Sequence, residues 1–171
     1  MGWPVLHSRS PLLHNTLFAE NALAGSYVFL EIRPEGLAAA LRSLHPLRFS
    51  GCNLTIPHKQ AAMKIVDRVD ETARLIGAIS CVVVEADGTL SGSNNDWFGF
   101  IHNLKQTFPD WRADAGPVTV IGAGGGSRAV CYGLAREGAK EIRLVNRTLA
   151  RAQKLAADLG GPIRAYPWEE R

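Results

Sequence analysis

Apolar and polar positions along the 171-residue chain fall into short blocks of two kinds. Some alternate with the two-residue period of strands, and others recur every three to four residues as on helices. Strands are predicted at residues 27–32, 51–56, 78–84 and 90–93, with Asp87-Gly88 as the hairpin turn before the last of them. Between them the pattern predicts helices over 34–44 and 59–66 and a short helix ending at Ile76 that Asp70 caps. A longer amphipathic helix starts near Asn95 and runs to about Thr107. The stretch PDWRADAGP, residues 109–117, is rich in turn formers and marks a boundary.

Beyond it, Val118, Thr119, Val120 and Ile121 read as a short buried strand, followed by a glycine-rich turn and a helix over 127–137. Ala129, Val130, Leu134 and Ala135 share one face of that helix, and Gly138 stops it. A second strand covers 142–145 and a third begins near Ile163. This order predicts an α/β chain in three segments: an α/β domain over 1–94, an interdomain helix and linker over 95–115, and the first half of a Rossmann domain over 116–171. The second half, which would carry a nicotinamide, has no counterpart in the pattern, and Met1-Gly2-Trp3-Pro4 starts directly in a loop. Both ends therefore carry the expectation of a truncated chain.

Composition narrows the picture only a little. An apolar share of 46% is that of a globular protein, and a net charge of +3 is modest. No basic block interleaved with aromatics points to nucleic acid, and no apolar run is long enough to span a bilayer or resembles a signal peptide. A cytoplasmic protein without membrane or nucleic-acid partners is expected. Cys52, Cys81 and Cys131 are scattered and odd in number, which predicts reduced thiols and no metal site.

The glycine turn carries the clearest chemistry. Gly122, Gly124, Gly125 and Gly126 present no side chain that would block the approach of a pyrophosphate, and the helix that follows points free N–H groups at it. Ser127 stands where a strict fingerprint has its third glycine. At the end of the second strand an NAD-binding protein places a carboxylate for the ribose 2′-hydroxyl; this chain has Asn146 and Arg147, with Arg151 one turn into the next helix. Guanidinium groups bind a 2′-phosphate in bidentate fashion, so the expected cofactor is NADP. Taken singly, such arginines are as readily solvated surface charges.

Three constellations precede the boundary. In HSRSP, residues 7–11, Ser8 and Ser10 offer hydroxyls to a carboxylate ligand, although serines ahead of Pro11 and an apolar helix also serve as ordinary caps. In NLTIPHK, residues 53–59, Asn53 and Thr55 share a face and a lysine follows at the head of the next helix. Desolvation beside a closed pocket lets an ammonium exchange a proton with a substrate hydroxyl; the bland alternative for Lys59 is a solvated helix residue. In SNNDWFGF, residues 93–100, Asp96 falls in the first turn of the interdomain helix, where it either caps or completes a proton-handling pair with Lys59.

With these residues in hand the chain resembles the shikimate dehydrogenase family. The likeness rests on GWPVLHSRSPLLHN, GCNLTIPHK, GAISCV, SNNDWFGF, VIGAGGGSRAV and NRTLARA, in the family's order and spacing. It implies an NADP-linked oxidoreductase interconverting 3-dehydroshikimate and shikimate on the route to chorismate and the aromatic amino acids. Carried over by position, Ser8 and Ser10 bind the substrate carboxylate, and Thr55, Lys59, Ser80 and Asp96 lie at its hydroxyls, with Lys59 as principal acid/base and Asp96 as its partner. Gly122, Ala123, Gly124, Gly125, Gly126, Ser127 and Arg128 hold the pyrophosphate, and Asn146, Arg147, Thr148 and Arg151 the adenosine end. The partner is then a small carboxylate substrate, and the resemblance leaves a homodimer open.

The chain also departs from the family's pattern. Ser80-Cys81 replaces the usual Asn-Thr, and Asn94-Asn95-Asp96-Trp97 replaces Asn-Thr-Asp-Gly. Ser80 is shorter than asparagine and reaches a substrate hydroxyl only through water or a shifted ligand. Two alternatives to a shikimate enzyme therefore stand: a dehydrogenase of quinate or another cyclic polyol acid, and a non-catalytic remnant that binds ligand only.

Overall fold

A computed structural model describes residues 1–170. Arg171, the last residue of the predicted third segment, lies outside the described residues. Helix α1 (Ser10–Glu20) is followed by an extended stretch, a 3₁₀ turn at Pro34–Gly36 and α2 (Leu37–Arg42). Next come β1 (Gly51–Asn53), α3 (His58–Ala61), β2 (Arg68–Val69), α4 (Glu71–Ile76), β3 (Cys81–Val84) and β4 (Leu90–Ser93). Helix α5 (Asp96–Thr107) leads to β5 (Val118–Ile121), α6 (Gly125–Arg136), β6 (Ile142–Val145), α7 (Leu149–Leu159) and β7 (Ile163–Tyr166).

The first sheet has the order β1-β3-β4-β2, with β1 and β4 antiparallel to β3 and β2 parallel to β4. Its core gathers Leu37, Leu41, Leu44, Leu54, Ala62, Ile79, Val82 and Leu90. The second sheet is wholly parallel with the order β5-β6-β7, its register pairing Ile121 with Val145 and Val145 with Tyr166. That is the βαβαβ arrangement of a mononucleotide-binding half. Its core is built from Val120, Cys131, Leu134, Ile142, Leu144, Leu155 and Ile163. Between the two cores lies a small cluster of Ile76, Ala78 and Ala129, against which Trp97 and Tyr132 pack. Helix α5 lies close on α6: a Cβ at Gly133 would meet Ile101 at 2.9 Å, so only glycine permits the approach.

Several expected elements are shorter than the hydrophobic pattern suggested. Residues 27–32 form no ladder; Glu31 makes one isolated bridge with Gly2, through Gly2 N–H to Leu30 O (3.3 Å) and Ile32 N–H to Gly2 O (3.0 Å). The other side of that short segment bonds Thr55 N–H to Met1 O and Trp3 N–H to Ile56 O, both at 2.9 Å. Pattern alone shows that a residue is suited to a strand and says nothing of how many partner residues stand beside it. The expected helix over 59–66 begins at His58 and tightens into a 3₁₀ turn after Ala61, with Ile65 N–H bonding back three residues to Ala62 O. The two-residue strand β2, too short to show a period, was not foreseen. By contrast Asp70 caps α4 through a 2.5 Å bond from Ala73 N–H, and Gly77 ends it in the left-handed region (φ 72°).

Candidate active site

Two cavities adjoin where the sheets meet. The first, of about 380 Å³, is lined by Ser8, Ser10, Tyr27, Asn53, Thr55, Ser80 and Asp96 among others. The turn before α1 sets its rim: Ser8 Oγ accepts from Ser10 N–H at 3.2 Å and lies 3.1 Å from Ser10 Oγ. The helix itself has Arg9 at its N-cap, with no side-chain cap bond, so the serine hydroxyls close the turn and line the cavity rather than cap α1. Asn53, the last residue of β1, and Thr55, just beyond it, line the cavity, and Leu54 between them is buried, 2% exposed. Tyr27 donates from its hydroxyl to Asn53 Oδ1 (2.9 Å) and stacks on His14, with 4.4 Å between ring centroids.

The second cavity, of about 640 Å³, lies between α3 and the glycine turn. Lys59, Gly124, Gly125, Gly126, Arg128, Arg151 and Lys154 line it. Gly122 has φ 104°, a conformation that L side chains rarely adopt. A Cβ at Gly124 or Gly126 would meet nothing within 4 Å, whereas one at Gly125 would come within 3.0 Å of the Lys59 side chain. The glycine turn is therefore open toward the cavity and close beside the lysine. Helix α6 starts at Gly125, so its first N–H groups face this space. Of its four cationic residues, Lys59 is paired with Asp96, and Arg128 and Lys154 with Asp158, so the helix N-terminus and Arg151 are what suit a polyanion here.

Lys59, lining the second space, is bonded to Asp96, lining the first. Its Nζ donates to an Asp96 carboxylate oxygen, and the side chains are only 16% and 33% exposed. Asp96 is held by a residue the sequence reading passed over: Asn94, 2% exposed, accepts from Asp96 N–H (3.0 Å) through Oδ1 and donates to Ala78 O (2.9 Å) through Nδ2. The signal was an asparagine two residues before a helix-starting carboxylate, an arrangement that forms Asx turns. Ser80 is buried, and its Oγ accepts from Asn95 N–H at 3.0 Å.

The other predicted residues are placed differently. Ser127 stands beside Gly122, and neither lines the second cavity, whereas Ala123 does. Asn146 Oδ1 accepts from Ala123 N–H (3.2 Å) and its Nδ2 donates to Thr148 O (2.8 Å), tying the glycine turn to the head of α7. Arg147 is exposed and, like Thr148, lies outside the cavity lining. Arg128 lines the second cavity with its guanidinium already committed within the protein: Nε donates to Ile76 O (2.6 Å) and a terminal nitrogen to Asp158 (2.8 Å). That bond is the main reason the Asp158 carboxyl titrates below its ordinary range.

A parallel βαβαβ unit opening onto a second α/β layer through a Lys-Asp pair defines a two-layer protein with a dinucleotide-type cleft. Known proteins share this fold. Residues 1–82 match the family model described as shikimate dehydrogenase substrate binding domain, and residues 103–170 the one described as shikimate / quinate 5-dehydrogenase. A shikimate dehydrogenase (NADP(+)) of Paramagnetospirillum magneticum is 50% identical over all of this chain, which covers 62% of that relative. The Thermus thermophilus shikimate 5-dehydrogenase structure in complex with NADP(H) and shikimate matches 95% of this chain and 60% of its own, at 35% identity and a TM-score of 0.84. The Corynebacterium glutamicum quinate dehydrogenase structure in complex with NAD matches 97% of this chain and 62% of its own, at 30% identity and a TM-score of 0.87. The chain belongs to the shikimate dehydrogenase family, and it spans about 60% of the length of the relatives it matches.

Proposed function

We propose that the protein interconverts 3-dehydroshikimate and shikimate with NADP, as part of chorismate and aromatic amino acid biosynthesis. The observation that carries this reading is the Lys59–Asp96 pair bridging a hydroxyl-lined cavity and a cationic, glycine-floored one. Ser8 and Ser10 receive the substrate carboxylate, while Thr55, Lys59, Ser80 and Asp96 address its hydroxyls. Lys59 exchanges a proton with the oxygen of the reacting carbon, and Asp96, oriented by Asn94, keeps the ammonium aimed. NADP, when bound, supplies or accepts the hydride. Its pyrophosphate is received by the backbone N–H groups of Gly124, Gly125, Gly126 and Ser127, since those of Gly122, Ala123 and Arg128 are bonded to Val145 O, Asn146 Oδ1 and Gly124 O; its adenosine end is received by Asn146, Arg147, Thr148 and Arg151. The open faces of Gly124 and Gly126 and the left-handed Gly122 support that fit.

The same proposal divides the chain at 94 and 115 into substrate layer, connecting helix and nucleotide layer. It includes a cytoplasmic location, supported by three free cysteines and by the absence, among the described residues, of a helix long and apolar enough to cross a membrane. A homodimer is the further assembly to be sought by light scattering.

Absorbance of NADPH formed from shikimate tests the catalytic reading. Lys59→Ala is expected to lower kcat by about 10²–10⁴-fold with a smaller change in KM, the range for a lost general acid/base. Unchanged turnover would remove Lys59 from the mechanism. The committed Oγ of Ser80 favours one second reading, a quinate-type cyclic polyol acid as substrate, which faster turnover of quinate than of shikimate would establish. A chain that binds NADP and shikimate without turnover would instead be a ligand-binding protein.

A further inference from the structure

Arg128 is more deeply buried than any other arginine or lysine among the described residues, at 7% exposure, and its hydrogen bonds leave its own helix in two directions. Nε reaches back to Ile76 O at the end of α4, in the first layer, and a terminal nitrogen reaches Asp158 on α7, in the second. The fit is close: a Cβ at Gly77 would lie 2.7 Å from the guanidinium. Three residues earlier on α6, Gly125 comes so near Lys59 that a Cβ there would lie 3.0 Å from the lysine side chain. Lys59 O in turn accepts from Ile79 N–H at 2.8 Å, three residues beyond Ile76. A closed ring results, running from Lys59 through Ile79 and Ile76 to Arg128, back along the first turn of α6 to Gly125, and across to Lys59.

We propose that Arg128 is a positioning residue: its bonds to Ile76 and Asp158 lock the first turn of α6 to the segment that carries Lys59 and so fix the distance between the lysine and the glycine turn. A guanidinium suits the task because its planar fork gives directional bonds to two acceptors on different elements. The Ile76 carbonyl is an orphan of the α4 C-terminus, so the same bond satisfies a helix end. The lock rests on the proposed function for its catalytic meaning, but not for its geometry. Without it, α5 and its aromatic contacts, among them Trp97 edge-on to Tyr132 at 5.6 Å, still join the layers.

The test places genetically encoded spin labels at Ala86 and Lys140, exposed positions on the two layers, and reads their distance distribution by pulsed dipolar spectroscopy. The unaltered protein is expected to give one narrow distribution. Arg128→Met, which keeps the aliphatic stem, and Asp158→Ala, which removes one acceptor at an accessible site, are both expected to broaden it. Adenosine 2′,5′-bisphosphate, measured calorimetrically, is expected to bind Arg128→Met within about fivefold of its affinity for the unaltered protein, a difference of about 1 kcal/mol. An unchanged distribution in either folded variant overturns the lock, as does a larger loss of probe affinity, which would make Arg128 a phosphate ligand. If the probe does not bind even the unaltered protein, the NADP reading fails, while the distances still decide the lock.

Discussion

Gly77 and Gly138 form a matched pair whose alanine variants separate backbone strain from close packing. Both follow a helix and both have positive φ, 72° and 88°. A Cβ at Gly138 would meet nothing within 4 Å, whereas at Gly77 it would meet the Arg128 guanidinium at 2.7 Å. Alanine in the left-handed region costs roughly 1–2 kcal/mol, and that is the whole expected effect of Gly138→Ala. Gly77→Ala carries the same strain and also pushes Arg128 off Ile76 O, leaving a buried acceptor and a charged donor less well paired at about 1–3 kcal/mol more. The expected total is about 2–5 kcal/mol, read from urea unfolding with linear extrapolation. A difference between the two variants below about 0.5 kcal/mol would refute the close approach and with it the packing role given to the guanidinium.

Three further outcomes are expected. His58 is buried, 1% exposed, with Nε2 bonded to Ile32 O (2.8 Å) and Nδ1 without a partner, and burial lowers its pKa below the ordinary 6.5. As pH falls the unfolded chain takes up this proton first, so His58's contribution to stability is present above pH 6.5 and is lost as pH drops through the folded value. Urea midpoints between about pH 7 and pH 5 should fall less steeply in His58→Gln, and equal slopes would contradict this. Burial pushes the Cys52 thiol up to about 11 and Cys131 to about 12, so at pH 8 about one Cys52 in a thousand is thiolate. A disulfide reagent should label both slowly in the native protein and at once in urea; fast native labelling of Cys131 would contradict its burial. Arg151→Asp should weaken adenosine 2′,5′-bisphosphate by about 10–100-fold, the worth of a lost charge-assisted hydrogen bond, and leave adenosine 5′-monophosphate little changed. Equal weakening of both would move the 2′-phosphate contact elsewhere.

What the sequence made legible follows from the range of the interactions involved. The strands β4, β5 and β6 and the cap of α4 at Asp70 depend on residues within a few positions of one another, and each is found where local pattern puts it. The segment 27–32 has a strand's composition, yet its partners are Gly2 on one side and nothing laddered on the other. Helix 59–66 breaks because the chain must turn at Ala62, a fully buried position, to bring Arg68 and Val69 beside β4. Pairing across such distances leaves no periodic trace.

The cleft divides along the same line. Motif spacing brought Lys59 and Asp96 together on paper, and the structure joins them through α3 and the head of α5. Arg128 could not be read that way, because a basic residue in the first turn after a glycine loop looks the same whether its fork faces a phosphate or a carbonyl. The deciding partners, Ile76 and Asp158, lie 52 residues before it and 30 after it. Gly77 offers the one local hint, since a glycine closing a helix leaves room for a neighbouring chain to come near. The aimed lysine, the glycine turn beside it and the arginine that joins their supports therefore form one unit, in which the chemistry is local and its alignment is not.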